Sequence, residues 1–359
     1  MNAKRLLEQV PVDPAAEERA WAVVRAAYAR HEPVRRRRTA WPLATAAGLA
    51  VVAAAALSPP GRAVVDAVRR SIGIEHAAPA LFRLPAPGRL LVSGSGGTWV
   101  VASDGSKRRL GDERQASWSP HGLYVIAAGQ DELAAIEPGH GAVHWTLTRP
   151  RISLPRWGGS RTDTRVAYLS GATLRVVGGD GTGDAPIGPS AHVAPAWQPE
   201  RHVLAYAPPA GGVLVVNADS RAVLARHGVR GAVLALAWSP DGRRLAVATR
   251  KQLVVLGGRR RVALPLASVR SLAFARDGRL ALVRGGKVQV LGGEGVQTVL
   301  TVRGALAGLA WSPDGRSIVT SLPAADQWIF LGRRRLQAVS HIVHQFGGAV
   351  SLDGWVPGA

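Results

Sequence analysis

Cysteine is absent from the 359 residues, so disulfides, thiolate metal sites and thiol catalysis are all excluded. The same absence leaves the redox compartment unreadable. Aromatic residues are scarce, at 5%, yet their distribution is lopsided: 11 Trp stand against 4 Tyr and 4 Phe. Acid is also in short supply, with 24 Asp and Glu against 45 Lys and Arg, a formal net charge of +21. Such an excess suits an anionic partner, or else an Arg-rich composition in which Arg replaces Lys on solvated turns.

Catalytic signatures are missing as well. The chain has no Gly-x-Ser-x-Gly elbow and no Gly-x-x-x-x-Gly-Lys loop. His341 and His344 lie three apart, and His140 and His144 four apart, but neither pair is accompanied by the Glu of a helical zinc motif. Gly178-Gly-Asp180-Gly-Thr-Gly-Asp184 has the outline of a calcium loop without its trailing bidentate Glu, and reads as a Gly-rich hairpin. No enzyme, cofactor or metal site is expected.

What is abundant is turn chemistry, with 42 Gly and 24 Pro, and hydrophobic residues at 47%. Together these describe a large all-β core cut into short strands. Aligning the aromatic turns exposes a repeat. Trp118-Ser-Pro-His-Gly, Trp157-Gly-Gly-Ser, Trp197-Gln-Pro-Glu, Trp238-Ser-Pro-Asp241-Gly242, Phe274-Ala-Arg-Asp277-Gly278 and Trp311-Ser-Pro-Asp314-Gly315 follow at spacings of 39, 40, 41, 36 and 37 residues. After each turn come apolar runs such as Leu245 to Thr249, Leu253 to Leu256 and Val262 to Leu266, then the next aromatic strand. Four short strands per repeat is the pattern of a propeller blade. In this reading the Trp ends the innermost strand and packs between blades. Pro stops ladder pairing, and Asp-Gly supplies the backbone freedom of the turn. The repeated carboxylates are therefore turn residues rather than catalysts. Trp157-Gly-Gly-Ser and Trp197-Gln-Pro-Glu depart from the pattern and leave the geometry of their turns open.

Residues 89 to 113 hold three strands with no Trp turn before them, and Ala349 to Trp355 supply one strand with nothing after. Three plus one completes a blade and removes the free edges. The expected ring has seven four-stranded blades, with six or eight compatible because 321 to 347 is irregular. These turns resemble the WD-like repeats of TolB-type bacterial propellers, a resemblance that covers roughly residues 88 to 357. It implies the fold and leaves the role open, since such propellers serve many functions.

Upstream, residues 39 to 61 contain no charged side chain. A membrane-spanning helix needs about 20 mostly apolar residues, and 39 to 60 meets that length. Arg35 to Arg38 precede it and place the N-terminus in the cytoplasm. Trp41 suits the interface, while Arg62, Arg69 and Arg70 weaken the asymmetry. The Ala-rich core around Ala53 to Ala55 is also compatible with a cleaved signal peptide, but the forty residues ahead of it favour an uncleaved anchor. Within 1 to 38, Asp13-Pro14 caps a helix whose apolar face carries Ala20, Trp21, Val24, Ala27 and Tyr28. Residues 61 to 87 read as a juxtamembrane linker. The layout of basic tail, single span and propeller resembles membrane proteins of high-GC actinobacteria.

This topology puts the propeller outside the cytoplasm and argues against a nucleic-acid partner. Basic clusters are expected on one face of the ring. Lys107-Arg108-Arg109, Arg259-Arg260-Arg261 and Arg333-Arg334-Arg335 are placed between third and fourth strands, and Arg243, Arg244, Arg279 and Arg316 beside the Asp-Gly turns. They form a candidate docking surface for anionic lipid or envelope polymer. The expected function is a membrane-anchored module that binds a protein or envelope ligand, with a relay to the cytoplasmic helix. The alternative is a structural scaffold. A propeller enzyme ranks last, because inner strands such as Ala235-Leu-Ala-Trp238 and Gly308-Leu-Ala-Trp311 are apolar and small.

Overall fold

The computed structural model describes residues 77–78, 83–257, 261–332 and 335–358. The expected cytoplasmic helix, the span at 39 to 60, and Arg259, Arg260, Arg333 and Arg334 lie outside the described residues. Among the described residues no helix is long and apolar enough to cross a membrane.

Short apolar strands separated by tight turns pair with their sequence neighbours, except where the two ends of the chain meet. The described residues form seven sheets, each a blade of four antiparallel strands, one of them extended by a short fifth strand. Blade 1 is the composite expected from the two ends. Val350–Val356 forms its inner strand, and Arg89–Gly94, Gly97–Ala102 and Lys107–Gly111 follow outward. Blades 2 to 7 begin with the inner strands Gln115–Trp118, Ile152–Gly159, Ala196–Trp197, Val233–Trp238, Ser271–Phe274 and Ala307–Trp311. Blade 5 is representative, continuing through Leu245–Thr249, Leu253–Leu256 and Val262–Leu264.

Burial follows position within the blade. The second strand of blade 5 and its third strand are buried at every residue, because both of their faces pack on neighbouring blades. The outer strand Val143–Thr148 of blade 2 alternates exposed and half-buried residues instead. The hydrophobic core is accordingly distributed over seven seams. One cluster joins blade 1 to blade 2 through Leu91, Val100, Trp118 and Val125, and the last joins blade 7 to blade 1 through Trp328, Phe330, Leu90 and Trp355. Each seam buries apolar area that neither blade could cover alone.

The irregular stretch 321 to 347 resolves into two strands of blade 7, Gln327–Leu331 and Leu336–Ser340, and a one-turn helix, Ile342–Phe346. Phe346 drops into the seam against Trp328, with ring centroids 5.1 Å apart. Ala77–Ala78 adds a parallel strand to the outer edge of blade 7. Leu84 and Ala86, assigned to the linker on sequence grounds, are buried in the same seam. The folded ring therefore takes in residues ahead of 88.

The Asp-Gly turns share a left-handed glycine. Gly242 and Gly315 both sit at φ +66°, a left-handed conformation that a Cβ would strain. Asp241 and Asp314 each accept hydrogen bonds from the turn serine and from the backbone N–H two residues on. The two departures fold differently. Glu200 takes φ +58° in the Trp197 turn. After Trp157, the reversal is closed by the Ser160 N–H donating to the Asp163 carbonyl. Trp118, Trp157, Trp311 and Trp355 are buried, while Trp197, Trp238 and Phe274 are half-buried.

Candidate binding surfaces

An up-and-down blade places its first-to-second and third-to-fourth turns on one face of the ring. Its second-to-third turns and the connections between blades lie on the other. The first is called the turn face here and the second the connection face.

On the turn face, the structure separates the expected arginines by what they touch. Arg244 of blade 5 lies over the Phe274 ring of blade 6, 5.1 to 5.5 Å being the range shared with Arg89 over Trp118, and it donates to the Gly278 carbonyl at 2.9 Å. Arg279 of blade 6 repeats this on blade 7, lying 4.8 Å from the Trp311 centroid and donating to the Gly315 carbonyl at 2.6 Å. Arg89 of blade 1 clamps blade 2 in the same way, with its bond to the Gly122 carbonyl at 2.7 Å. Gln198 of blade 4 makes the corresponding bond to Gly242 of blade 5 at 2.7 Å. In the reverse direction, indole N–H groups reach the preceding blade: Trp118 donates to Gly354, Trp197 to Arg156 and Trp311 to Ala273. Arg244 and Arg279 are thus seam residues as well as surface cations. Their aromatic and glycine partners were legible as turn residues, but the pairing across blades was not, because nothing in one repeat names its neighbour.

Arg279→Ala should cost about 1–2 kcal/mol of stability, from a cation–π contact and a charged hydrogen bond. Arg279→Lys should recover only part of it, since an ammonium cannot both stack and donate as a planar fork. Urea unfolding of both variants checks this, and equal stability of the Ala variant and the wild type would refute the clamp.

Other expected residues fall into different settings. Lys107, Arg108 and Arg109 do not form a turn but open the outer strand of blade 1. Lys107 donates to Gln345 at 3.1 Å and sits over Phe346, while Arg109 pairs with Asp112. Arg261 donates to the Gly228 carbonyl of blade 4 at 2.9 Å. Arg108, Arg243, Arg316 and Arg335 are exposed. Asp241, Asp277 and Asp314 interleave with these arginines, so the turn face alternates in sign. Hydrogen bonding helps hold all three carboxyls below the usual carboxylate range. At Asp241 the turn serine is foremost; at Asp277 and Asp314 the bonds outweigh the upward push of partial burial.

The connection face of blades 4 to 6 is different. Residues 226–232, 249–252, 265–271, 284–287 and 302–306 contain eight Lys and Arg and no Asp or Glu. Arg230, Arg250, Lys251, Arg270, Lys287 and Arg303 are all exposed there. Among the described residues none of them forms an ion pair. Sequence reasoning passed over this patch because its cations come singly, from five separate loops, whereas the turn-face arginines come in visible runs. The signal available was the acid-free composition of those loops.

Acid concentrates elsewhere. Between blades 3 and 4 a cleft of about 570 Å³ is lined by Asp163, Asp180 and Asp219 together with Arg165. Arg165 pairs with Asp163 and Asp219, and His202 Nδ1 lies 2.6 Å from Asp219. Asp184, from the Gly-rich hairpin, is a hub joining blades 2 and 3. It accepts Tyr168 Oη at 2.7 Å, Arg149 Nε at 2.9 Å and Arg175 Nη2 at 2.6 Å. Burial pushes its carboxyl up, but these donors outweigh that and hold it below the ordinary value.

The central channel, about 540 Å³, is mostly lined by apolar inner-strand residues such as Leu234, Leu236 and Leu309. It also holds Arg156 and Asp353, with His192 and Arg270 among its lining residues. The expectation of apolar inner strands thus holds for blades 5 and 7 and fails for blades 1 and 3. Among the described residues no group of three or more His, Asp or Glu gathers in metal-binding geometry.

The WD40 family (WD domain, G-beta repeat) matches residues 219–256. That segment runs from the outer strand of blade 4 through three strands of blade 5, so the sequence repeat is offset from the blade by one strand. No curated protein matches the chain. Among solved structures, the hydrazine synthase of Kuenenia stuttgartiensis is similar at 11% identity and a TM-score of 0.49, over 70% of this chain and 79% of that one. The β-propeller domain of Cps50 (Swd1) from Myceliophteria thermophila is similar at 12% identity and a TM-score of 0.50, over 63% of this chain and 85% of that one. Likeness at the level of the Cps50 domain shows the fold: this chain is a WD-like, seven-bladed propeller. Such rings commonly serve as protein-binding platforms, and the fold alone assigns no partner.

Proposed function

We propose that this chain is a membrane-anchored binding module whose propeller docks on an anionic envelope surface, lipid headgroups being the reference case. The observation that carries the reading is the acid-free cationic patch on the connection face of blades 4 to 6. Each basic side chain near an anionic membrane contributes about 1 kcal/mol, screened by salt, so six exposed cations on one face are enough for salt-sensitive docking. Residues 39 to 60 supply the anchor, with the N-terminus cytoplasmic and the ring outside. The Trp-Ser-Pro-Asp-Gly openings support the TolB-type assignment within the wider propeller class. Binding rather than catalysis is the proposed role, with relay to the N-terminal helix or passive scaffolding as its two outcomes.

Co-sedimentation of the compact unit Ala63–Ala359 with lipid vesicles tests it. The protein should pellet with vesicles rich in phosphatidylglycerol and stay in solution with phosphatidylcholine, and added salt should release it. Replacing Arg230, Arg250, Lys251 and Arg303 by Gln should abolish pelleting, and replacing Arg243, Arg316 and Arg335 should leave most of it. The reverse ranking would move the site to the turn face. Equal binding to neutral and anionic vesicles would overturn the proposal.

A further inference from the structure

Three charged residues line a channel whose wall is mostly apolar, and two of them, Arg156 and Asp353, sit on strands with broken register. In blade 1, Gly354 pairs with Leu91 and Leu352 with Val92, so Asp353 is the extra residue of a β-bulge. Its Asp-Gly dipeptide has the composition of a turn but lies inside a strand, with Gly354 at φ +145°. In blade 3 the register slips between Ala167 and Leu169, just ahead of Arg156, and Leu154 takes φ +53°. Bulges re-aim side chains, and they are over-represented beside functional sites.

The two groups do not neutralise each other by contact. Arg156 Nη1 donates to the Pro155 carbonyl at 2.8 Å, and Asp353 Oδ2 accepts the Ser93 hydroxyl at 2.5 Å. Among the described residues no carboxylate lies within ion-pair distance of Arg156. Both residues are half-buried and line the same cavity of about 540 Å³, large enough for a small organic ion. Arg156 comes from blade 3, Asp353 from blade 1, Arg270 from blade 6 and His192 from the connection into blade 4, so the charged groups converge from around the ring. Among the described lining residues Arg156 and Arg270 are the fixed cations, and guanidinium geometry suits carboxylate and phosphate oxygens.

We propose that the central channel is a binding site for a small anion bearing a phosphate-like or carboxylate group, held by Arg156 and admitted when Asp353 carries a proton. Burial is the main cause that raises the Asp353 carboxyl to about 7, against the opposing pull of the Ser93 hydroxyl and the Arg156 charge. Near neutrality its proton is therefore mobile. Ionised, Asp353 cancels the field of Arg156; protonated, it leaves that field to the ligand and can donate a hydrogen bond of its own. Anion binding consequently takes up a proton. This site does not rest on the exterior patch proposed above; Arg270 borders both, and the other patch cations separate the two by mutation.

The test is calorimetric titration of the full chain in detergent micelles at constant ionic strength. Sulfate serves as the phosphate-like probe and succinate as the carboxylate probe. At least one should bind at pH 6, and its affinity should fall about tenfold by pH 8, as the protonated fraction of Asp353 falls through a pKa near 7. Repeating the titration in buffers of different ionisation enthalpy should reveal proton uptake at pH 7.5. Asp353→Asn should abolish the pH dependence and hold the pH 6 affinity at pH 8. Arg156→Gln should lose about tenfold or more at pH 6. If that variant fails to show the wild-type near-ultraviolet Trp spectrum, Arg156→Lys takes its place and should bind more weakly than wild type. Gln substitutions on the connection face at Arg230, Arg250, Lys251 and Arg303 should leave the titration unchanged. Absence of binding by both probes, wild-type affinity in the Arg156 variant, or an unaltered pH slope in Asp353→Asn would overturn the proposal.

Discussion

A chain ended at Gly348 is expected to lose the folded ring. That truncation removes Val350–Val356, whose ladder with Arg89–Gly94 joins the two ends of the chain in blade 1. It also takes Leu352 and Trp355 out of the seam between blades 7 and 1, where they pack beside Leu90, Val92 and Phe330. The Trp118 indole loses the Gly354 carbonyl, and Phe330 loses its edge-to-face partner at 6.0 Å. What remains leaves Arg89–Gly94 with an unpaired edge, a template for pairing with another chain. The expected result is loss of the cooperative urea transition and of the near-ultraviolet Trp signal, with aggregates in gel filtration. A chain ended at Val356 keeps every one of these contacts and should behave as wild type. Cooperative unfolding of the Gly348-terminated chain at wild-type denaturant concentration would show that closure does not hold the ring.

The largest single-residue effect is expected at Trp328 rather than at the repeated Trp positions. Trp328 is 0% exposed, in the third strand of blade 7, enclosed by Phe346 and the blade 1 strands. Removing a buried indole costs about 3–5 kcal/mol, since the cavity closes only in part. Trp238, at a repeated turn, is half-buried on the seam between blades 4 and 5. Its substitution by Ala should cost about half as much, because the partly solvated ring contributes less transfer free energy. Equilibrium urea unfolding of both variants gives the comparison. A Trp328→Ala variant within about 1 kcal/mol of wild type, or a Trp238→Ala variant that is the less stable of the two, would refute this ranking. The repeat drew attention to Trp238 by recurrence, whereas the cost of losing a side chain follows its enclosure.

Several features were readable at the level of residues because their causes are local. Trp238-Ser-Pro-Asp-Gly makes its turn by hydrogen bonds within six residues, so its composition and its geometry are one fact. Strand limits such as Leu245–Thr249 and Leu253–Leu256 follow directly from the length of the apolar runs. The composite blade was readable because strand counting at the two ends leaves three and one. The basic face was only partly readable. Charge runs locate cations along the chain, but whether Arg244 meets a ligand or the Gly278 carbonyl depends on a blade 34 residues away.

The chain's own pattern thus settled the class of fold and the means of closure and pointed to seven blades, since these arise from alternation, turn chemistry and arithmetic along one strand of sequence; the folded sheets fixed the count. Packing between repeats settled the rest. It assigned Arg89, Arg244 and Arg279 to the seams, assembled an acid-free patch from five distant loops, and turned Asp353 and Arg156 toward a common channel. The reason is physical: hydrogen bonds of a turn close over a few residues, whereas seams, faces and channels are made by side chains that become neighbours only when the ring has closed.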